Sequence, residues 1–409
     1  MDTRAVALAE ELGSQLGRLR GAGPKLKQFL TMVQLDPPPE GERSRPGLGA
    51  LPDGASTIPF GRVRSVIEED LDARIGQLFD DFEEEPFAVA SLGQVHRART
   101  SDGEDVAVKV QHPGVAAAVE ADLRNLGLVS PILKRLAPDL DAGAVLAEIR
   151  ERISDELDYE LEAQHQRRLA RMLRGHPHVR LPRVHTDLSA RRVLVTEYVA
   201  GLGGEDIKRL GDAERDRVGE IIFRAYFGLV WREGVVAGDP HPDNCVLCPD
   251  GRLCLLDFGL LRDLDAGSLQ GERDVMRALA GADARGLHAG LEHLGYLPDP
   301  GAVDRDVLLE HLARASEWML VPGFRRIDPS YVADVVELGY PPRSPLFPLM
   351  RRMTIPSSTL LLRRMEVQIL SLLGEFRAGA DWGAIAAEYH SGTPASTPLG
   401  LAEALKARR

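Results

Sequence analysis

The chain has 409 residues, enough for two or three domains or for one bilobal unit with an extension. It is 44% hydrophobic and 27% charged, as ordinary globular proteins are, and carries a formal net charge of −12. That balance argues against a general binder of nucleic acid or of anionic membrane, since such partners select basic surfaces.

The first residues include Asp2, Glu10 and Glu11 in place of a basic start and an apolar core, so no secretory signal is expected. Residues 2–20 place Leu8, Leu12, Leu16 and Leu19 on one helical face, which suits docking onto the rest of the protein. A Pro/Gly-rich stretch follows at 36–59, where Pro37 to Pro39 exclude a helix interior, so it reads as a linker. The spacing then predicts a helix over 60–71, short β segments over 82–111 with a turn at "SDGED" (101–105), and one long helix over about 142–174. Two strands are expected at 178–185 and 191–199, and Gly201 to Gly204 mark a break.

Beyond the break, 212–234 has the clearest helical rhythm of the chain, with Asp212 as its expected N-cap and Gly234 as its stop. Cys245, Cys248 and Cys254 flank the turn "PDG" (249–251). Their spacing lacks the fourth ligand of a structural zinc site, so they read as buried hairpin side chains. So few cysteines suit a reducing, cytoplasmic setting. Residues 268–390 read as mostly helical. The greasiest stretch, 355–376, is interrupted by Arg363, Arg364 and Glu366 and reads as a packed helix, so a soluble protein is expected. Strands first and helices second give an α+β, two-lobed outline. Its parts are an extension (1–35), a linker (36–59), an N-lobe (60–200), a C-lobe (201–390) and a tail (391–409).

Phosphoryl-transfer sites need a cation on the phosphates, oxygen ligands for magnesium and a carboxylate near the attacking oxygen. The chain carries all of these in order. Lys109 lies in "VAVK" after the small-residue turn "AVASLGQ" (88–94), Asp239 and Asn244 lie in "GDPHPDN" (238–244), and Asp257 opens "DFG". Each piece alone is a weak signal, but the ordered set in strand and hairpin contexts is strong.

These residues depart from an ordinary kinase in a consistent way. The catalytic loop reads "DPHPDN" instead of "HRD", and the expected glycine-rich loop is built on Ala88, Ala90, Ser91 and Gly93. Together with "PFGRVRSVIEEDL" (59–71), "DELDYELEAQ" (155–164) and "LLDFGLL" (255–261), they resemble the UbiB/AarF family of atypical protein-kinase-like proteins over roughly residues 20–380. The resemblance implies a bilobal kinase-like fold that binds ATP or ADP with Mg2+. Lys109 would meet the phosphates and pair with Glu162, Asn244 and Asp257 would hold the metal, and Asp239 would orient the attacking oxygen. Ala88, Ala90, Ser91, Gly93 and Gln94 would form the nucleotide loop. Glu197, Tyr198 and Val199 would form the adenine hinge, with Thr196 as gatekeeper.

Glu156 and Asp158 match the family's Glu-x-Asp motif; in one continuous helix Asp158 would share a face with Glu162, and Glu156 would lie about 120° away. Without the resemblance, "DELDYELE" could equally be a solvated acidic face. Lys25 and Gln28 match the family's Lys-x-Gly-Gln motif, with Lys27 where glycine is expected. Asp243 replaces the usual glycine, more simply as a loop cap than as a metal ligand, and His241 reads as a packed loop histidine.

No Ala-Pro-Glu triplet follows the DFG, so a peptide platform is not expected. The resemblance implies transfer to water or to a small or lipid-related acceptor, in support of quinone or isoprenoid-lipid metabolism, with at most peripheral membrane contact. A non-catalytic nucleotide-binding regulator and a true protein kinase are the alternatives.

Overall fold

The computed structural model describes residues 57–407, except 91, 125–126, 128–129, 137–140 and 340–346. Lys25, Gln28, the extension at 1–35 and most of the linker lie outside the described residues, as does Ser91.

The first described helix, α1 (Phe60–Leu71), turns Val63, Val66 and Ile67 inward. They pack on a five-stranded antiparallel sheet of β1 (Phe79–Phe82), β2 (Ala88–Ala90), β3 (Gly93–Thr100), β4 (Asp105–Gln111) and a later strand, β6 (Val193–Glu197). Alternation along β4 decides the faces. Val106, Val108 and Val110 join the core under α1, so Ala107, Lys109 and Gln111 turn to the opposite face.

The single long helix expected over 142–174 is instead two: α2 (Ala142–Asp155) and α3 (Tyr159–Met172). The break comes from Asp158, which takes an extended backbone and accepts the Glu160 and Leu161 amides on its carboxylate, as an N-cap does. Gln111 pins the break to the sheet through a 2.8 Å bond to the Leu157 carbonyl.

The two stretches expected as strands, 178–185 and 191–199, each form one short strand, and they meet through a single bridge between Val184 and Thr196. Pro182 cannot donate to a ladder, and only β5 (Val179–Arg180) forms in the first stretch. It runs parallel to β9 (Leu253–Leu255) of the C-lobe, whereas β6 pairs with β4.

The C-lobe is built around α4 (Asp212–Glu233), almost wholly buried in its second half. Gly234 ends it at φ 66°, as expected, but Gly211 is its N-cap, and Asp212 pairs with Arg215. Next, β7 (Val235–Ala237) pairs with β10 (Leu261–Asp263), and the hairpin of β8 (Cys245–Leu247) and β9 (Leu253–Leu255) lies between them in sequence. The three cysteines are buried on this hairpin, as expected. Helix α5 (Ala266–Ala280) starts right after β10, capped by Asp265, so the DFG segment runs straight into a helix. Further on, α6 (Leu360–Phe376) and α7 (Trp382–His390) pack against α4, and α8 (Pro398–Ala407) closes the chain. Among the described residues, no helix is long and apolar enough to cross a membrane.

Candidate active site

Two strand ends, one helix start and the middle of a strand converge between the lobes. Sheet register places Lys109 opposite Val95 and Leu194 on the cleft-facing side of the N-lobe sheet. Its ammonium donates to both oxygens of Glu162 on α3, each at 2.9 Å, and lies 3.7 Å from Asp257 Oδ2. Asp257 arrives at the end of β9, and Asp239 at the end of β7. One cleft is lined by Leu92, Lys109, Glu156, Tyr159, Glu162, Asp239, Asp257, Gly259 and Leu260.

The electrostatics follow from burial. Removal from water works to lower the Lys109 pKa, but Glu162 and Asp257 outweigh it and hold the ammonium well above its usual value. Burial pushes the Glu162 carboxyl up to about 7, with Asp257 and Glu156 adding repulsion and Lys109 pulling the other way. The lysine therefore stays charged, with Glu162 and Asp257 as its partners in the cleft.

Asp239 is held from behind. Its Oδ1 accepts from Arg364 at 2.6 Å and from Gln368 at 2.8 Å, both on α6. The Arg364 guanidinium is fully buried and also donates to the Gly238 carbonyl at 2.7 Å. From the other side, Asn244 Nδ2 donates to the Asp239 carbonyl, and the Leu256 amide donates to the Asn244 carbonyl. The loop at 239–244 and the strand leading to Asp257 are thus one hydrogen-bonded unit. The DFG segment is tied in turn to the helices above it: His165 Nδ1 bonds the Phe258 carbonyl at 3.1 Å, and Arg168 and Glu148 pair with Asp263 and Arg262.

Several expected residues serve otherwise. Asp158 is the α3 cap, so its carboxylate is spent on backbone amides, while Glu156, freed from the helix by the break, does line the cleft. Gln94 alternates away from Lys109: it is fully buried, accepting from the Ile58 amide and bonding His96. Gly93 is needed for strand approach, because a Cβ there would fall on the Val110 carbonyl. Ala88 and Ala90 do form the strand before the loop, paired with Val95 and Gly93.

At the hinge, the amides of Glu197 and Tyr198 already donate to the Arg183 and Asp105 carbonyls, so neither can be the amide that meets adenine; Val199 follows them in the chain. The Glu197 carboxylate is taken by Arg180 and the Arg183 amide. His241 accepts the Asp243 amide and so caps the loop itself, while the Asp243 side chain is exposed.

Three residues in or behind the cleft were not picked out from the sequence: Tyr159, which lines it, and Arg364 and Gln368, which hold Asp239. Tyr159 had a signal, being the first residue after the acidic motif. The other two are polar groups four apart on an otherwise Leu-rich helix, a pattern that marks a buried polar contact.

Two lobes joined by a strand, with a lysine–glutamate pair facing a DFG aspartate and a loop aspartate, define a protein-kinase-like protein. A family model described as the ABC1 atypical kinase-like domain matches residues 50–289, and the chain belongs to that family, as its resemblance to UbiB/AarF proteins implied. AarF domain-containing protein kinase 1 of Xenopus laevis is 30% identical over 283 residues, which cover 68% of this chain and 54% of that protein. Protein ACTIVITY OF BC1 COMPLEX KINASE 8, chloroplastic, of Arabidopsis thaliana is 29% identical over 308 residues, covering 73% and 40%. The chain spans about half the length of the curated relatives it matches. Among solved structures, the Mycobacterium tuberculosis protein Rv3197 in complex with erythromycin is similar at a TM-score of 0.68, with 29% identity over 93% of this chain and 95% of that one.

Proposed function

We propose that this chain binds ATP between its lobes and transfers the γ-phosphoryl group to water or to a small or lipid-related acceptor. The observation that carries this reading is the meeting of Lys109, Glu162, Asp257 and Asp239 in one cleft, since phosphoryl transfer is mostly positioning plus charge stabilisation. Lys109 binds phosphate oxygens while Glu162 fixes its reach. Asp239, clamped by Arg364 and Gln368, holds the attacking hydroxyl or water in line.

The donor set, an Asp carboxylate with an Asn amide oxygen nearby in the chain, fits a hard divalent cation such as Mg2+. Asp257 and Asn244 would hold it, and it would neutralise phosphate charge. Quinone or isoprenoid-lipid metabolism is the setting the family resemblance suggests, and the chemistry of an acidic, compact cleft suits a small acceptor better than a peptide.

The test is magnesium-dependent phosphate release by the full chain. Wild type turns over, and Asp257→Asn and Lys109→Ala lose at least tenfold; equal rates in all three sink the reading. A second reading, that the chain binds macrolide-like amphiphiles, is favoured by the erythromycin complex of the Mycobacterium relative. Adding erythromycin to the same assay tests it: a saturable change in turnover supports a macrolide-responsive site, and no binding by calorimetry removes it.

A further inference from the structure

Tyr159, the first residue of α3, lies inside the cleft and has no role in the reading above. It is 2% exposed. Lys109 Nζ sits over its ring, 4.8 Å from the centroid. Its hydroxyl reaches the start of β3, where a Cβ on Gly93 would lie 3.1 Å from it. Among the described residues this hydroxyl has no hydrogen-bond partner.

That is an unusual state for a buried hydroxyl. Buried polar groups nearly always bond to something, and one left alone destabilises the fold that contains it. The α3 helix is not short of ways to avoid the problem, because phenylalanine would fill the same space. The ring is accounted for by packing and by the lysine above it; the hydroxyl is not.

The surroundings say what would complete it. Burial holds the phenol above its usual pKa, so near neutrality it keeps its proton and can donate. The Lys109 ammonium lies over the ring, and the backbone at Gly93, where β3 starts, lies beside the hydroxyl. Glu162 and Asp257 are turned to the ammonium and none of the described groups accepts from the phenol, so the acceptor left for it is an oxygen that a ligand brings to Lys109.

We propose that the Tyr159 hydroxyl donates a hydrogen bond to a phosphate oxygen of the bound nucleotide, between Lys109 and the start of β3 at Gly93. The inference rests on the nucleotide reading above and adds a phosphate-binding residue to it. It makes Tyr159 a residue that senses the phosphate chain and not the base.

Tyr159→Phe in the full chain separates this from a packing role. The unliganded variant should melt at the wild-type temperature or above it, because an unpartnered hydroxyl has been removed. Calorimetric affinity for ATP and ADP with magnesium should fall at least about tenfold, the worth of a hydrogen bond to a charged acceptor. Affinity for adenosine, measured by displacement, should stay unchanged. A lower melting temperature, or a variant that does not fold, overturns the proposal by showing that the hydroxyl is a structural partner. So does unchanged ATP affinity, or an equal loss for ATP and adenosine. If wild type binds no nucleotide, the phosphoryl-transfer reading fails and takes this one with it; if wild type binds and Tyr159→Phe binds equally well, only the present inference fails.

Discussion

Replacing Arg364 by Met is the sharpest probe of how the catalytic loop is held. The two side chains are similar in length, so the change mainly removes a charge and its donors. Three acceptors lose a partner: Asp239 Oδ1 at 2.6 Å, the Gly238 carbonyl at 2.7 Å and Gln368 Oε1 at 2.9 Å. The site is fully buried at the guanidinium, and the Asp239 side chain keeps only 15% of its surface. Breaking a buried ion pair from one side typically costs about 3–5 kcal/mol. The residual exposure of Asp239 and its remaining bond from Gln368 argue for the lower part of that range, about 3 kcal/mol.

Urea unfolding followed by tryptophan fluorescence reads this directly. Turnover should fall about 10–100-fold in the same variant with the KM for ATP nearly constant, because Asp239 acts on the attacking oxygen and not on nucleotide binding. Gln368→Leu, which removes a single 2.8 Å bond, should cost about 1 kcal/mol and a smaller share of the rate. A change in Arg364→Met within about 0.5 kcal/mol, with turnover intact, would refute the idea that α6 positions the loop.

Asp158→Ala should lose about 1 kcal/mol of stability, as helix caps do, and leave ATP affinity unaltered; a tenfold affinity loss at unchanged stability would return Asp158 to the binding site. Glu162 is lifted by burial from 4.5 to about 7, so stability from this source is full below pH 4.5 and is lost as pH rises through 7. Between pH 5 and pH 8, wild type should lose stability relative to Glu162→Gln in paired urea titrations, and parallel curves would contradict the burial argument. Ala90→Gly relaxes the backbone before the nucleotide loop and should alter the ratio of ATP to ADP affinity or the turnover; equal affinities and rates would mean that alanine does not stiffen the loop.

Much of the site was legible because kinase-like chemistry comes in a chain order. Lys109 on a strand, Asp239 in its loop and Asp257 after a buried strand could be picked out as cleft residues before any fold was known, and Glu162 was found from the motif it sits in. The errors have local physical causes. Gln94 was assigned to the loop by proximity in sequence, but strand alternation turns it to the other face. The helix over 142–174 looked continuous because Asp158 is as ordinary within an acidic helix as at a cap; only its extended backbone distinguishes the two. Arg364 could not be connected to Asp239 at all, since they are 125 residues apart and only the packing of α6 on β7 joins them. At the hinge, sequence likewise could not show that the Tyr198 amide is claimed by Asp105, across the sheet.

The central claim is that Asp239 acts on a phosphoryl group delivered by Lys109 and Asp257. Single-turnover release of γ-phosphate from ATP and magnesium, wild type against Asp239→Asn, tests it most directly. The account predicts that the variant still binds ATP while its rate falls about 10²–10⁴-fold, the usual worth of a positioned acid or base. Equal rates for the two proteins, with ATP bound by both, would contradict it.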